Sequence, residues 1–142
     1  MSAEGIKALG RRYIGELNKG KAAALAAMDE LYATDLVFHG GDGGETRGIE
    51  NYKRYIREFF RAFPDLYWTI DDMIAEGDKM LARFTLTGTN TGEFIGMPPT
   101  NRKVMMWGIG IDRIAGGRFV EEWERSDTLG FTRQLGLAPA PG

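Results

Sequence analysis

The sequence predicts an α+β fold in which N-terminal helices are followed by a bent antiparallel sheet. Before Pro64, three segments carry apolar residues at helical spacing. After Pro64, four segments rich in Thr, Ile, Val, Phe and Trp have the composition of strands, and short connections join them. Because helices and strands do not alternate, this order favours an α+β architecture over a parallel sheet with crossover helices.

The first two helices precede a short strand. The first helix has apolar residues at helical spacing and ends before Gly20. The second is the alanine-rich segment from Lys21 to Tyr32, which has high helix propensity. The apolar run from Leu36 to His39 then predicts a strand, and the glycine-rich turn from Gly40 to Gly44 ends it.

The third helix has the clearest pattern. Five large apolar residues follow one another at helical spacing, and charged residues fill the opposite face: Ile49, Tyr52, Ile56, Phe59 and Phe63. Pro64 cannot continue the helix and stops it. The apolar stripe indicates core packing, and the same side chains could also form the wall of a pocket.

Four strands and a closing helix complete the chain. The strand segments are Leu66 to Glu76, Lys79 to Thr91, Arg102 to Ala115 and Arg118 to Asp127. Short turns make consecutive strands antiparallel. Thr128 to Leu135 predicts a short helix, and a Pro/Gly tail runs from Ala138 to Gly142.

Composition narrows the class of protein. A chain of 142 residues with 43% hydrophobic and 27% charged residues suits one globular domain, which we expect to span residues 1–142. Its 18 basic residues are interleaved with 20 acidic ones, so we expect no nucleic-acid partner. The absence of cysteine excludes disulfides and thiolate chemistry. No apolar run is long enough for a signal peptide or a membrane span, and we expect a cytoplasmic protein without a membrane partner.

Several motifs in order carry a resemblance to a known family. They are Phe63-Pro64-Asp65-Leu66, Glu76-Gly77-Asp78-Lys79, Gly88-Thr89-Asn90-Thr91-Gly92-Glu93-Phe94, Gly96-Met97-Pro98-Pro99-Thr100, Ile111-Asp112-Arg113-Ile114, Glu122-Trp123-Glu124-Arg125-Ser126-Asp127 and Gln134-Leu135-Gly136. With these motifs the sequence resembles the SnoaL-like polyketide cyclases, within the nuclear transport factor 2-like superfamily. The resemblance covers about Ala22 to Leu137.

The resemblance implies a cone-shaped sheet, or α+β barrel, with three N-terminal helices closing a single pocket. It also implies enzymes that need neither metal nor cofactor. Such cyclases close rings on polyketide intermediates by intramolecular aldol reaction, with an aspartate as general acid and base. Asp127 matches that aspartate. The motif around Asn90 often has histidine at this position in the family, so Asn90 is a substrate-binding candidate without a role in proton transfer.

Asp127 is the principal catalytic candidate. Regular alternation in the last strand would place Trp123 and Asp127 on one face. A carboxylate beside an indole is partly desolvated, which raises its pKa toward the range of a general base. Asp127 also stands where an aspartate would cap the helix that begins at Thr128, and both roles could hold together.

His39 and Arg83 are the other catalytic candidates. His39 is the only histidine, and it is either a hydrogen-bonded structural group or, as the family implies, a donor facing the cavity. Arg83 interrupts an apolar strand, so it lies either on a solvated face or inside a cavity. The resemblance favours the cavity, where arginine could stabilise an enolate.

The expected pocket wall is apolar and aromatic. Its candidates are Phe38, Phe59, Phe63, Met105, Trp107 and Trp123, and the alternative for each is plain core packing. A metal set drawn from His39, Asp42 and Glu45 offers one nitrogen ligand on a loop and is discounted. The glycine-rich turn lacks the lysine and Ser/Thr of a phosphate-binding loop. We therefore expect no metal and no cofactor.

The sequence therefore predicts a cofactor-independent cyclase or isomerase-type enzyme for a hydrophobic, polyketide-like carbonyl substrate. Proton abstraction α to a carbonyl would precede aldol ring closure. The alternatives are isomerisation, epoxide opening or cofactor-free hydroxylation in the same cone, or a binding module without catalysis. Val104 and Met106 are expected on the outer face of the sheet, where their exposure predicts a homodimer or tetramer.

Overall fold

A computed structural model describes residues 1–40 and 43–137. These residues form four helices and six strands: α1 (Ala3–Leu17), α2 (Lys21–Leu31), β1 (Tyr32–His39), β2 (Glu45–Arg47), α3 (Ile49–Ala62), β3 (Tyr67–Glu76), β4 (Lys79–Thr89), β5 (Lys103–Ala115), β6 (Arg118–Ser126) and α4 (Thr128–Gln134). The predicted α+β class is confirmed. The predicted tail from 138 to 142, and positions 41 and 42 of the glycine turn, lie outside the described residues.

The six strands form one curved sheet in the order β2-β1-β6-β5-β4-β3. Strands β3 to β6 pair antiparallel, as predicted, with tight turns after β3 and β5 and a longer loop over residues 90–102 between β4 and β5. Strand β1 pairs parallel to β6, however, with His39 opposite Trp123. The expectation of a purely antiparallel sheet is wrong at this pair, because the turn argument applies only to strands that follow one another in sequence.

The N-terminal half differs from the prediction in two details. Helix α2 ends at Leu31, one residue earlier than predicted, and Tyr32 is both its C-cap and the first residue of β1, opposite Phe119 of β6. The short strand β2 was not predicted, and it pairs with the end of β1. Helix α3 ends at Ala62, and Phe63 is its C-cap. Pro64 follows directly, which agrees with the predicted stop.

Helix α1 lies close against the concave face of the sheet. Gly10 permits this approach, since a Cβ there would lie 2.5 Å from Sδ of Met80 on β4. The helix begins at Ser2, whose hydroxyl accepts a hydrogen bond from the Gly5 amide at 3.0 Å. The close contact brings Tyr13, one turn further on, over the inner end of the concave face.

The concave face is the apolar one, and it includes Val104 and Met106. These two side chains are 5% and 8% exposed, so the expectation that they cover the outer face is wrong. Their neighbours Met105 and Trp107 are 61% and 55% exposed and lie on the convex face. Side chains alternate in a strand, but when both faces carry apolar residues the pattern does not say which set points inward.

A β-bulge in β6 changes the face on which its side chains lie. Arg113 pairs with Glu121, but the next residue, Ile114, pairs with Phe119, so β6 has one extra residue at this point. Phe119 therefore faces the concave side together with Glu122 and Glu124. Simple alternation would have placed both glutamates on the opposite face from Phe119.

None of the helices in the described part of the chain is both long enough and apolar enough to cross a membrane.

Candidate active site

Two adjoining hollows lie between the helices and the concave face. The first, called the inner cavity, has a volume of about 130 Å³. The second, called the vestibule, has a volume of about 700 Å³. Four residues border both spaces: Tyr55, Phe59, Met106 and Glu124. The inner wall is otherwise mainly apolar and aromatic. Glu124 therefore lies where the two spaces adjoin.

Glu122 lies at the inner end and accepts hydrogen bonds at both carboxylate oxygens. The Tyr32 hydroxyl donates to Oε1, and the Tyr52 hydroxyl donates to Oε2 at 3.1 Å. Asp112 on the neighbouring strand makes a further side-chain hydrogen bond to Glu122. Glu122 is 9% exposed, so these donors replace the water that an ionised carboxylate needs.

Asp112 and Glu122 form a hydrogen-bonded pair of buried carboxyl groups. Burial raises the pKa of Asp112 well above its ordinary value, and the negative charge of Glu122 raises it further. Burial also raises the pKa of Glu122, but the hydrogen bonds from Asp112, Tyr32 and Tyr52 act in the opposite direction. Because the donors converge on Glu122, the proton resides on Asp112 and Glu122 carries the charge.

Glu124 is the carboxyl group best suited to exchange protons with a ligand. Burial raises its pKa to about 7, with a further contribution from the charge of Glu122 and an opposing one from the Ser126 hydroxyl. That hydroxyl donates to Oε1 at 3.2 Å. A carboxyl group that is half ionised near neutral pH can accept a proton in one step and return it in the next.

Tyr13 contributes a third phenol to the inner cavity. Its hydroxyl lies beside those of Tyr32 and Tyr52, but no described residue forms a hydrogen bond of ordinary geometry with it. The residue is 7% exposed, and its ring packs edge-on against Tyr32 with centroids 5.0 Å apart. Burial raises the pKa of the phenol, which therefore remains a neutral donor.

The structure places Asp127 outside both hollows. It is exposed, and its carboxylate accepts a hydrogen bond from the Gly130 amide at 3.0 Å, as the N-cap of α4. The capping role is confirmed. The expectation of a desolvated carboxylate beside Trp123 is wrong, because β6 ends at Ser126 and Asp127 is exposed beyond the end of that strand.

His39 lies on the convex side rather than in the cavity. Its Nε2 is 2.8 Å from Oε2 of Glu121, and its ring stacks on Trp123 with centroids 5.3 Å apart. Glu121 in turn contacts Arg113, with Nη2 and Oε1 3.3 Å apart. These contacts favour a structural role for His39.

Arg83 also lies on the convex face, because its neighbours Ala82 and Phe84 border the cavity. Its side chain is 50% exposed, and Nη1 is 4.0 Å from Oδ2 of Asp71. The expectation that Arg83 points into the cavity is therefore wrong. An arginine at this position cannot stabilise an enolate inside the cone.

The predicted aromatic wall is only partly assembled. Phe38 borders the vestibule and Phe59 borders both hollows, whereas Phe63 is fully buried in the core. Met105 and Trp107 are on the convex face, so their assignment to the pocket is wrong.

Trp123 is among the residues that border the inner cavity, but its indole ring stacks on His39. It does not provide the flat inner surface that was expected of it.

Asn90 is a structural residue. It is 2% exposed, and its amide group donates to the carbonyl oxygens of Ala62 and Gly92 at 3.3 and 2.9 Å. Its Oδ1 accepts from the amide and hydroxyl of Thr100 at 2.9 and 3.0 Å. With these four hydrogen bonds it ties the end of α3 to the loop after β4, and it borders neither hollow.

Within residues 1–40 and 43–137, no group of three or more His, Asp or Glu side chains is arranged to hold a metal ion. The discounted set of His39, Asp42 and Glu45 includes a position outside these ranges.

The sequence interpretation missed Asp112, Glu122 and Glu124 as site residues. Each stands in the middle of a strand, and all three border the inner cavity. The available signal was the unusual presence of carboxylates inside strands, directly after a large apolar residue in Ile111-Asp112 and Trp123-Glu124. Aspartate and glutamate are depleted in strands, so their position there suggests a buried function.

Solved structures of similar fold include several from Streptomyces. AclR from Streptomyces galilaeus, a candidate hydroxylase, is 26% identical with a TM-score of 0.86, over 99% of this chain and 91% of its own. TsrD from Streptomyces laurentii is 28% identical with a TM-score of 0.84, over 97% and 99% of the two chains. IdmH from Streptomyces antibioticus, a candidate polyketide cyclase, is 31% identical with a TM-score of 0.73, over 89% and 97%.

No curated protein matches the sequence significantly. The SnoaL-like polyketide cyclase family, in contrast, matches residues 8–135, which is nearly the whole of the described chain. The curved sheet, the helices on its concave face and the cavity between them agree with this match. The chain belongs to the SnoaL-like polyketide cyclase family.

Proposed function

We propose that this protein is a cofactor-independent enzyme that removes a proton α to a carbonyl group, with Glu124 as the general base. The observation that carries the proposal is the position of Glu124. It borders both the vestibule and the inner cavity, with a pKa of about 7. In the sequence prediction this role belonged to Asp127, which is exposed and caps α4.

The reaction is an intramolecular aldol ring closure. The Glu124 carboxylate takes the α proton, and the electron pair of the C–H bond becomes the enolate. The enolate carbon forms a bond to a second carbonyl carbon of the same substrate, whose π electrons move to oxygen. That alkoxide takes the proton back from Glu124, so the enzyme ends as it began. The cavity contributes orientation and exclusion of water.

Tyr13 is the donor for the developing oxyanion. Tyr32 and Tyr52 already donate to Glu122, whereas the Tyr13 hydroxyl lies beside these two phenols without a hydrogen bond of ordinary geometry to any described residue. A neutral phenol donates to an enolate oxygen more strongly than to a ketone, because charge develops there in the transition state.

The substrate is an uncharged, largely apolar carbonyl compound. The inner cavity is bordered by the carboxyl groups of Asp112, Glu122 and Glu124, and none of the residues described around it is Lys, Arg or His. An anionic substrate would bury its charge beside Glu122 without a counterion. The apolar lining instead favours a fused-ring or aryl ketone.

A second candidate function is hydroxylation of the same enolate. The likeness to AclR, a candidate hydroxylase, over 99% of this chain favours it. Both reactions begin with proton abstraction and differ in what the enolate attacks. Product analysis under isotopically labelled oxygen separates them, since ring closure incorporates none of the label.

Hydrogen–deuterium exchange tests the proton abstraction without knowledge of the natural substrate. Neutral bicyclic and tricyclic ketones, beginning with β-tetralone, are incubated with the protein in deuterated buffer and the α protons are followed by NMR. We expect catalysed exchange that Glu124→Gln abolishes while ligand binding is retained. Failure to exchange any ketone that binds would identify a binding module rather than an enzyme.

A further inference from the structure

Glu122 is a buried anion without a cationic partner. Its three hydrogen bonds come from the phenols of Tyr32 and Tyr52 and from the carboxyl group of Asp112, all of them uncharged donors. In the described part of the chain no Lys, Arg or His lies within ion-pair distance of it. Its negative charge is thus held in place but not neutralised.

Glu122 and Glu124 lie on one face of β6, separated by one residue. In an extended strand this spacing puts their Cα atoms about 7 Å apart. Both border the inner cavity, whose largely apolar walls leave little water to screen one charge from the other. An ionised Glu122 therefore opposes the loss of a proton from Glu124.

The elements packed around Glu124 contribute other titratable side chains to the two spaces that it borders. They are Tyr13 of α1, Tyr32 of β1, Tyr52 and Tyr55 of α3, Asp112 of β5 and, around the vestibule, Glu45, Glu58 and Glu93. The pKa values of the Tyr13, Tyr32 and Tyr52 phenols and of the Asp112 carboxyl group are all raised, mainly by burial, which favours their neutral forms. Glu45 and Glu58 are ion-paired with Arg47 and Arg61. At the cavity, β4 offers only apolar side chains. Burial is the main cause of the raised pKa of Glu124, and among these groups it is the charge of Glu122 that raises it further.

We propose that Glu122 is a positioning residue for the base: its fixed negative charge makes Glu124 a stronger proton acceptor than a carboxylate in water. Tyr32, Tyr52 and Asp112 serve this role by keeping Glu122 ionised inside the protein. The catalytic significance of this inference rests on the proposed function. The electrostatic coupling itself can be measured without any substrate.

The test is a carbon-13 NMR titration of glutamate side-chain carboxyl carbons in the substrate-free protein. In the wild type we expect Glu124 to titrate near neutral pH while Glu122 is already ionised. Glu122→Gln removes the charge and keeps the shape, and the Glu124 midpoint should fall by about one pH unit, a tenfold loss of proton affinity. Asp112→Asn is the matched control, since it keeps a neutral donor to Glu122 and should leave the Glu124 midpoint nearly unchanged.

Two results would overturn the inference. One is an unchanged Glu124 midpoint in a folded Glu122→Gln variant, and the other is a midpoint that falls equally in Asp112→Asn. If Glu122→Gln does not fold, the wild-type titration decides, because a Glu122 that is still protonated at neutral pH could not act through its charge. These outcomes are independent of Glu124 as catalyst, which fails separately if Glu124→Gln keeps its exchange activity.

Discussion

Glu122 and Glu124 face the same cavity from one strand, but their surroundings differ. Glu122 accepts three hydrogen bonds and is 9% exposed, whereas Glu124 accepts one from Ser126 and reaches the junction with the vestibule. The first arrangement stabilises an ionised carboxylate. The second leaves a carboxyl group whose protonation changes near neutral pH, which suits a group that must accept a proton and return it.

Turnover should rise with pH through a midpoint near 7. The carboxylate form of Glu124 is the active base, and its pKa is raised from 4.5 to about 7 by burial and by the charge of Glu122. The pH dependence of kcat/KM for α-proton exchange reports this group in the free enzyme. A midpoint near 4 to 5, the ordinary range for glutamate, would mean that Glu124 is not the base.

The same group should make the protein less stable as pH rises from 4.5 to 7. The folded state holds a proton on Glu124 that the unfolded chain has already lost, so stability falls between the unfolded and folded pKa values. The shift corresponds to at most about 3 kcal/mol above pH 7. Urea unfolding of Glu124→Gln should show that this part of the pH dependence is absent. An unchanged pH dependence would indicate that other groups cause it.

Tyr13→Phe should lower turnover by about a hundredfold without loss of stability. Removal of one oxyanion donor typically costs this much. The hydroxyl makes no hydrogen bond of ordinary geometry, and the neighbouring phenols of Tyr32 and Tyr52 keep Glu122 as their acceptor, so its removal leaves neither of them unsatisfied. Tyr32→Phe is the contrasting variant, because it removes a donor to Glu122 and should destabilise the fold. A Tyr13→Phe enzyme with full activity would exclude the proposed role.

The dimer or tetramer expected through the sheet stays a prediction, and it now rests on different residues. The apolar side chains of the convex face include Met105, Trp107, Ile109 and Ile111, which are 61%, 55%, 38% and 36% exposed. Light scattering should show an oligomer that Trp107→Glu dissociates. Leu129→Glu on α4, also at an exposed apolar position, should leave it intact. A wild-type monomer at micromolar concentration would contradict the prediction.

Local sequence signals predicted most of the fold. The bounds of β3 to β6 agree to within two residues, because Gly77-Asp78 and Gly116-Gly117 mark tight turns between β-rich segments. The stop at Pro64 is also confirmed, and of the predicted stripe on the third helix Ile49, Tyr52 and Ile56 are buried, whereas Phe59 is half-buried and Phe63 follows the helix. The parallel pairing of β1 with β6 could not be predicted in this way, since it joins segments that are distant in sequence.

The site was predicted less well than the fold because its residues depend on which face of a strand they occupy. One extra residue in β6 brings Glu122 and Glu124 to the same face as Phe119 and leaves Glu121 and Trp123 on the other. No local property of the sequence marks that bulge. The sequence also did not indicate which side chains of β5 face the concave side, because apolar residues stand at Val104 and Met106 and also at Met105 and Trp107.

The most direct measurement compares Glu124→Gln with Asp127→Asn in the α-proton exchange assay. Both substitutions replace a carboxylate by its amide at nearly equal volume. Glu124→Gln should reduce turnover by two to four orders of magnitude, the usual contribution of a general base. Asp127→Asn should keep turnover close to that of the wild type, because asparagine caps a helix about as well as aspartate. The opposite pattern, with activity lost in Asp127→Asn and kept in Glu124→Gln, would contradict the assignment of Glu124 as the base.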